Sequence, residues 1–179
     1  MLNSSYSIEG TPLDRLVVGY ASARQPDGGY RFLPAQIFWA HRDAGGTALE
    51  HQLACIDYPS GCADTTASDF ARLMLMILNK GVVDGVRVLS VSSAELMLTP
   101  SGFRNADGWN QGLGLNGPLV LRGRQLWGHD GVDRGAANAL YFNPKTGVGA
   151  IAFSNANDAD FSLNYGVVDI ALHLLSWFG

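Results

Sequence analysis

The clearest periodicity in this sequence lies between Thr66 and Lys80, where Phe70, Leu73, Met74, Ile77 and Leu78 recur at helical spacing and form one apolar stripe. Thr66 stands where an N-cap hydroxyl belongs, and Asp69 three residues on completes a capping-box spacing. At the far end Lys80 suits the negative pole of the helix, and Gly81 fits the position just past it. Val82-Val83 and Val86-Arg87-Val88 around Asp84-Gly85 predict a small hairpin. Ser90 then caps a second helix that runs to about Leu98 and is stopped by Pro100.

From Trp109 onward the pattern changes to strands. Residues 125–129, 136–142 and 148–154 read as three of them, with Ala137, Ala139 and Tyr141 sharing one face of the second. Asn143-Pro144-Lys145-Thr146-Gly147 turns the chain between the last two and leaves Lys145 exposed. Short connections make the three antiparallel neighbours. A last helix over 163–178 presents Val167, Ile170, Ala171, Leu174 and Leu175 as a broad apolar face. Residues 1–64 look irregular: 13–20 fits a short strand or a helical turn, 24–30 is a polar turn, and 37–62 has no clear period. The expected fold class is α+β, an antiparallel sheet with the C-terminal helix on one face and the 66–80 helix on the other side of a cleft.

Composition narrows the function classes. Hydrophobic residues make up 47% of the chain and charged residues 16%, enough to bury a core. The formal charge of −4 and the absence of any Lys/Arg run argue against nucleic acid as a partner. No apolar stretch is long enough to span a membrane; the longest, 70–78, is broken by Arg72. Residues 1–10 lack the basic-then-apolar layout of a signal peptide, which leaves the compartment open. Cys55 and Cys62 flank a turn-like segment and fit a short disulfide loop or two free thiols equally. His41, His51, Cys55 and Cys62 match no standard zinc spacing and read as scattered loop residues, so no metal and no cofactor is expected. Trp109, Trp127 and Trp177 read as core or sheet cover, and His173 as structural.

Four blocks, in order, resemble the C-terminal half of the class C β-lactamase, esterase and D-aminopeptidase group, within the wider β-lactamase and penicillin-binding-protein family. Met1-Leu2-Asn3-Ser4-Ser5 is similar to the family's Gly-Met-x-x-Thr segment. The stretch Pro59-Ser60-Gly61 through Ser68-Asp69-Phe70-Ala71-Arg72 resembles its Ser-Thr-Ala-x-Asp-Leu-Ala-Arg helix, with Cys62 in place of a glycine. Leu89-Ser90 to Pro100 resembles its Leu-Ser-Pro-Glu-Ser helix. Gly128-His129-Asp130-Gly131 with Gly135, then Phe142-Asn143-Pro144 to Asn155, resembles its Gly-His-x-Gly strand and the strand and turn that follow, with Asp130 where a small residue is usual.

The resemblance implies a serine hydrolase that opens an amide, lactam or ester through an acyl-enzyme, on a small-molecule or peptide substrate. It implies His129 as a catalytic residue that polarises the substrate, and Asp130, Gly131 and Val132 as substrate-binding. Gly131 would allow close approach, and the Val132 N–H would supply half of an oxyanion hole. The family's Ser-x-x-Lys is missing: the two lysines, Lys80 and Lys145, are preceded at that spacing by Ile77 and Phe142. For the family's Tyr-x-Asn the candidate is Tyr20-Ala21-Ser22, which ends in serine and lies at the wrong place in the order. Lys145-Thr146-Gly147 spells another family triad, but it sits in a turn, and the His129 block already fills that slot. The expectation is a single partial domain over 1–179, inactive alone. It would be a fragment, a truncated product or half of a complementing pair, and a homodimer or a complementing N-terminal half is the expected partner. A competing expectation is a non-catalytic binding or scaffold protein on the same fold.

Overall fold

The structure is a computed structural model and describes Ser4, 20–34, Gly61, 63–105, 108–133, 135–158 and 162–178. Its centre is a four-stranded antiparallel sheet in the order β5-β6-β7-β8: Asn116–Leu121, Arg124–Asp133, Ala136–Asn143 and Val148–Ser154. The three strands expected from alternation are there as neighbours, and Lys145 is exposed in the turn between the last two, where the Asn143 side chain accepts from the Lys145 N–H at 2.9 Å.

Strand alternation sends two sets of side chains to opposite faces. Leu126, Ala137, Ala139 and Tyr141 meet Val167, Val168, Ala171 and Leu175 of the C-terminal helix α3, Ser162–Phe178. Small residues on both partners let that helix lie close to the sheet. Trp127, Leu140 and Phe142 meet Met74, Met76 and Ile77 of α1, Ala67–Leu78, on the other face. Gly149 is where α1 seats: a Cβ there would meet the Met74 sulfur at 2.0 Å. The helix expected across a cleft therefore packs directly on the sheet, giving three layers. Each fully buried side chain such as Ile77, Leu140 or Phe142 contributes about 1.5–3 kcal/mol.

The helix ends follow the sequence signals, with one change. Thr66 caps α1 by accepting from the Asp69 N–H at 3.2 Å, and Ser90 caps α2, Val91–Met97, by accepting from the Ser93 N–H at 3.0 Å. At the C-terminus of α1 it is Lys80, with φ 53°, that takes the left-handed conformation first, and Gly81 follows at φ 90°. The Lys80 and Gly81 N–H groups donate to Ile77 and Met76 carbonyls, a Schellman pattern. Asp84 and Gly85 turn the hairpin of β3, Val82–Val83, and β4, Val86–Arg87.

Four expectations are corrected. The 1–64 stretch is not wholly irregular: β1, Tyr20–Arg24, and β2, Tyr30–Pro34, form a hairpin about the polar turn at 25–29. β1 also pairs in parallel with β9, Ala156–Asp158, into a second small sheet. Strand β6 runs four residues past His129, so His129 lies within the strand and not at its end. On α3, Ile170 and Leu174 are exposed at 57% and 41%, and Trp177 at 70% donates to the His173 ring, so neither Trp177 nor two of the five residues of the expected stripe are core. His41, His51, Cys55 and Cys62 lie outside the described residues, as does most of 13–20. Among the described residues no helix is long and apolar enough to cross a membrane, and no cluster of three acidic, His or Cys side chains is placed to hold a metal.

Candidate functional site

The residues singled out from sequence lie on the second half of β6. β5 pairs with β6 only as far as Asn116 opposite Gly128, while β7 continues along β6 to Asp133 opposite Ala136. Beyond Gly128, then, one edge of β6 has no strand against it among the described residues. His129, Gly131 and Val132 are exposed along this open edge. Alternation puts His129 on the α1 side of the sheet with Trp127, and Asp130 on the α3 side.

The His129 Nδ1 is 2.5 Å from the Asp130 carbonyl oxygen. A carbonyl only accepts, so Nδ1 carries the proton and donates in this contact. Gly131 differs in kind from its neighbour Gly128. At Gly128 a Cβ would meet the Leu140 carbonyl oxygen at 2.0 Å and the Tyr141 ring at 2.5 Å, so packing forbids a side chain. At Gly131 a Cβ would meet nothing within 4 Å among the described residues.

On the opposite face Asp130 accepts a hydrogen bond from the Tyr141 hydroxyl at 3.1 Å. Tyr141 is fully buried, with the Trp109 ring edge-on at 6.3 Å. Burial, and then the Asp130 carboxylate beside it, push the Tyr141 phenol well above its ordinary range. Tyr141-Phe142-Asn143 is a letter-perfect Tyr-x-Asn that the sequence reading passed over. Its tyrosine has no access to a substrate, and Asn143 is buried capping the following turn. The resemblance is one of spelling. Tyr20-Ala21-Ser22 lies on β1, paired with β2 and β9.

The second resemblance block is also tied together in space. Ser4 Oγ lies 2.7 Å from Thr65 Oγ1 and donates to Asp69 Oδ2 at 3.0 Å, joining Ser4 to the start of α1. Asp64, two residues before that cap, has its carboxyl raised by burial to about 6.

Residues 11–174 match the family model described as Beta-lactamase. Two proteins of Mycobacterium tuberculosis, Protein Rv1367c of strain H37Rv and Uncharacterized protein MT1414 of strain CDC 1551, are each 39% identical over 80 residues, covering 38% of this chain and 20% of theirs. The structure of the octameric penicillin-binding protein homologue from Pyrococcus abyssi superposes with a TM-score of 0.68 at 18% identity, covering 99% of this chain and 34% of that one. This chain thus spans about a third or less of the length of the proteins it matches.

Proposed function

The chain belongs to the β-lactamase family, and from that premise we propose that it supplies one wall of a serine-hydrolase site whose nucleophile lies outside these 179 residues. The reaction is hydrolysis of an amide, lactam or ester of a small-molecule or peptide substrate through an acyl-enzyme. Within it His129 presents Nε2 to the substrate or its leaving group, and Gly131 leaves room for the substrate to approach. The Val132 N–H is one donor to the developing oxyanion. Asp130 contributes its backbone to this wall. The observation that carries the reading is that, among the described residues, no strand pairs with one edge of β6 after Gly128, where His129 is exposed and nothing stands within 4 Å of a Cβ at Gly131.

The chain alone is expected to release no colour from a chromogenic cephalosporin or from p-nitrophenyl esters above background. Mass spectrometry should find no acyl adduct on any of its serines. Co-expression with the Ser-x-x-Lys-bearing half of a family member should give turnover that drops about a hundredfold in His129→Ala. A burst and a covalent adduct on a serine of the chain alone would overturn the assignment.

The absence of Ser-x-x-Lys supports a second reading, a non-catalytic binding or scaffold protein on the same fold. Under it, ligand binding survives His129→Ala. The octameric assembly named for the Pyrococcus abyssi homologue supports reading this chain as self-associating in either case.

A further inference from the structure

We propose that Asp130 and Tyr141 are a positioning pair for His129, the terminus of a polar relay that runs Gln111, Asn116, Tyr141, Asp130 across the sheet. The proposal rests on the reading of His129 given above and names what holds that imidazole in place.

The relay has one direction. Gln111 Nε2 donates to Asn116 Oδ1 at 3.5 Å, and the Tyr141 hydroxyl donates to Asp130 Oδ1 at 3.1 Å; Asn116 and Tyr141 both stand in register with Gly128, one on each side of it. A phenol that gives its proton to a carboxylate can only accept at its other side, so in the relay the Asn116 amide would be the donor at the middle step. Each donor polarises the next, and the chain ends on a carboxylate. Asn116 and Tyr141 are buried at 5% and 0% exposure, so this is a shielded network. Gly128 makes it possible, because the Tyr141 ring occupies the volume a side chain there would need.

The relay sits where the sheet needs it. β5 stops pairing with β6 at Gly128, and among the described residues the segment after it is held by β7 on one edge only. Two contacts of Asp130 bear on His129: its carboxylate accepts from the Tyr141 hydroxyl, and its carbonyl oxygen accepts from the His129 Nδ1–H. Locking the first locks the second. The acidic side chain at a position where the resembling group has a small residue thereby gains a role: it orients the carbonyl that selects the Nδ1-protonated tautomer of His129 and frees Nε2.

The test uses the full chain, isotope-labelled, without substrate. In the wild type, long-range imidazole nitrogen spectra should show neutral His129 protonated on Nδ1. The Tyr141 hydroxyl proton should be visible and slow to exchange. Tyr141→Phe, which keeps the ring, should move His129 toward the Nε2-protonated form and speed amide exchange over 129–132 about tenfold. Asp130→Ala should do the same, and Asp130→Asn, which keeps an oxygen acceptor, should stay near wild type. If Tyr141→Phe does not fold, the two Asp130 variants carry the comparison. An unchanged tautomer and exchange rate in a folded Tyr141→Phe or Asp130→Ala would overturn the proposal. So would a hydroxyl proton that exchanges freely, or an Asp130→Asn that behaves like Asp130→Ala. These readouts need no turnover, so failure of the relay is separable from failure of the hydrolase reading, which shows in turnover and acyl-adduct measurements.

Discussion

At the scale of single residues, two glycines three positions apart give a direct contrast. Gly128→Ala drives a methyl into the Leu140 carbonyl and the Tyr141 ring, and should cost about 2–3 kcal/mol, read as a lower denaturation midpoint. Gly131→Ala meets open space without a left-handed backbone, and should change stability by less than about 0.5 kcal/mol. Under the proposed site, an effect of that second substitution would be on ligand approach. Asp64 gives a pH signature. Its carboxyl is raised to about 6 by burial, so the folded state holds the proton more tightly than the unfolded state, where the value is near 3.8. Stability conferred by the protonated form is complete below about 4 and is lost as pH rises through about 6. Partial contact with water trims the effect to about 1 kcal/mol. Asp64→Asn should therefore raise the thermal midpoint at pH 7 and leave it nearly unchanged at pH 4; equal shifts at both values would refute the assignment. Sequence named His129 and Gly131 from a strand motif, but not the Tyr141–Asp130 pair. A tyrosine and an aspartate eleven positions apart become neighbours only through the β6–β7 register.

Among the elements, helix caps were the most legible feature, because capping is decided within four residues. Thr66 and Ser90 both accept from the N–H three residues on. The C-terminus of α1 was less so, since the choice between Lys80 and Gly81 for the first left-handed position depends on the hydrogen bonds back to Ile77 and Met76. Lys80 stays at φ 53° at a cost that glycine does not bear, and loses only an exposed 3.6 Å ion pair to Glu95 if replaced. Lys80→Gly should accordingly stabilise the protein by about 0.5–1 kcal/mol in chemical denaturation. Lys80→Ala, which keeps a Cβ, should not. Strand β5 escaped the sequence reading because Gly117-Pro118 interrupts its alternation just where it bulges against β6. The end of β6 was misplaced because glycine and aspartate have poor strand propensity, and pairing with β7 overrode it.

For the whole molecule, the α+β class and the strand meander followed from short-range pattern, whereas the second sheet did not. The pairing of β1 with β9 joins residues more than a hundred positions apart, and no local signal encodes it. That sheet bears on the state of the protein in solution. The β1–β2 hairpin attaches just past the end of β8, where the Tyr20 N–H donates to the Asn155 carbonyl at 2.7 Å. It leaves β8 itself paired with β7 alone among the described residues, and every side chain of β8 from Val148 to Phe153 is apolar or glycine. On α3, Ile170, Leu174, Trp177 and Phe178 fall three and four residues apart and are exposed at 57%, 41%, 70% and 75%. An apolar edge with no second strand against it among the described residues, and an apolar helix stripe, are the two surfaces that recruit a second chain. A two-fold pairing would satisfy either with one contact. The isolated chain should therefore scatter light as a dimer or larger at micromolar concentration. Dilution should increase amide exchange along β8, or the exposure of Trp177 to a fluorescence quencher, according to which surface is used. Trp177→Ser together with Phe178→Ser should dissociate a helix-mediated assembly and leave an edge-paired one intact. A monomer mass across the concentration range, with β8 amides protected at every dilution, would show that the chain closes its own sheet.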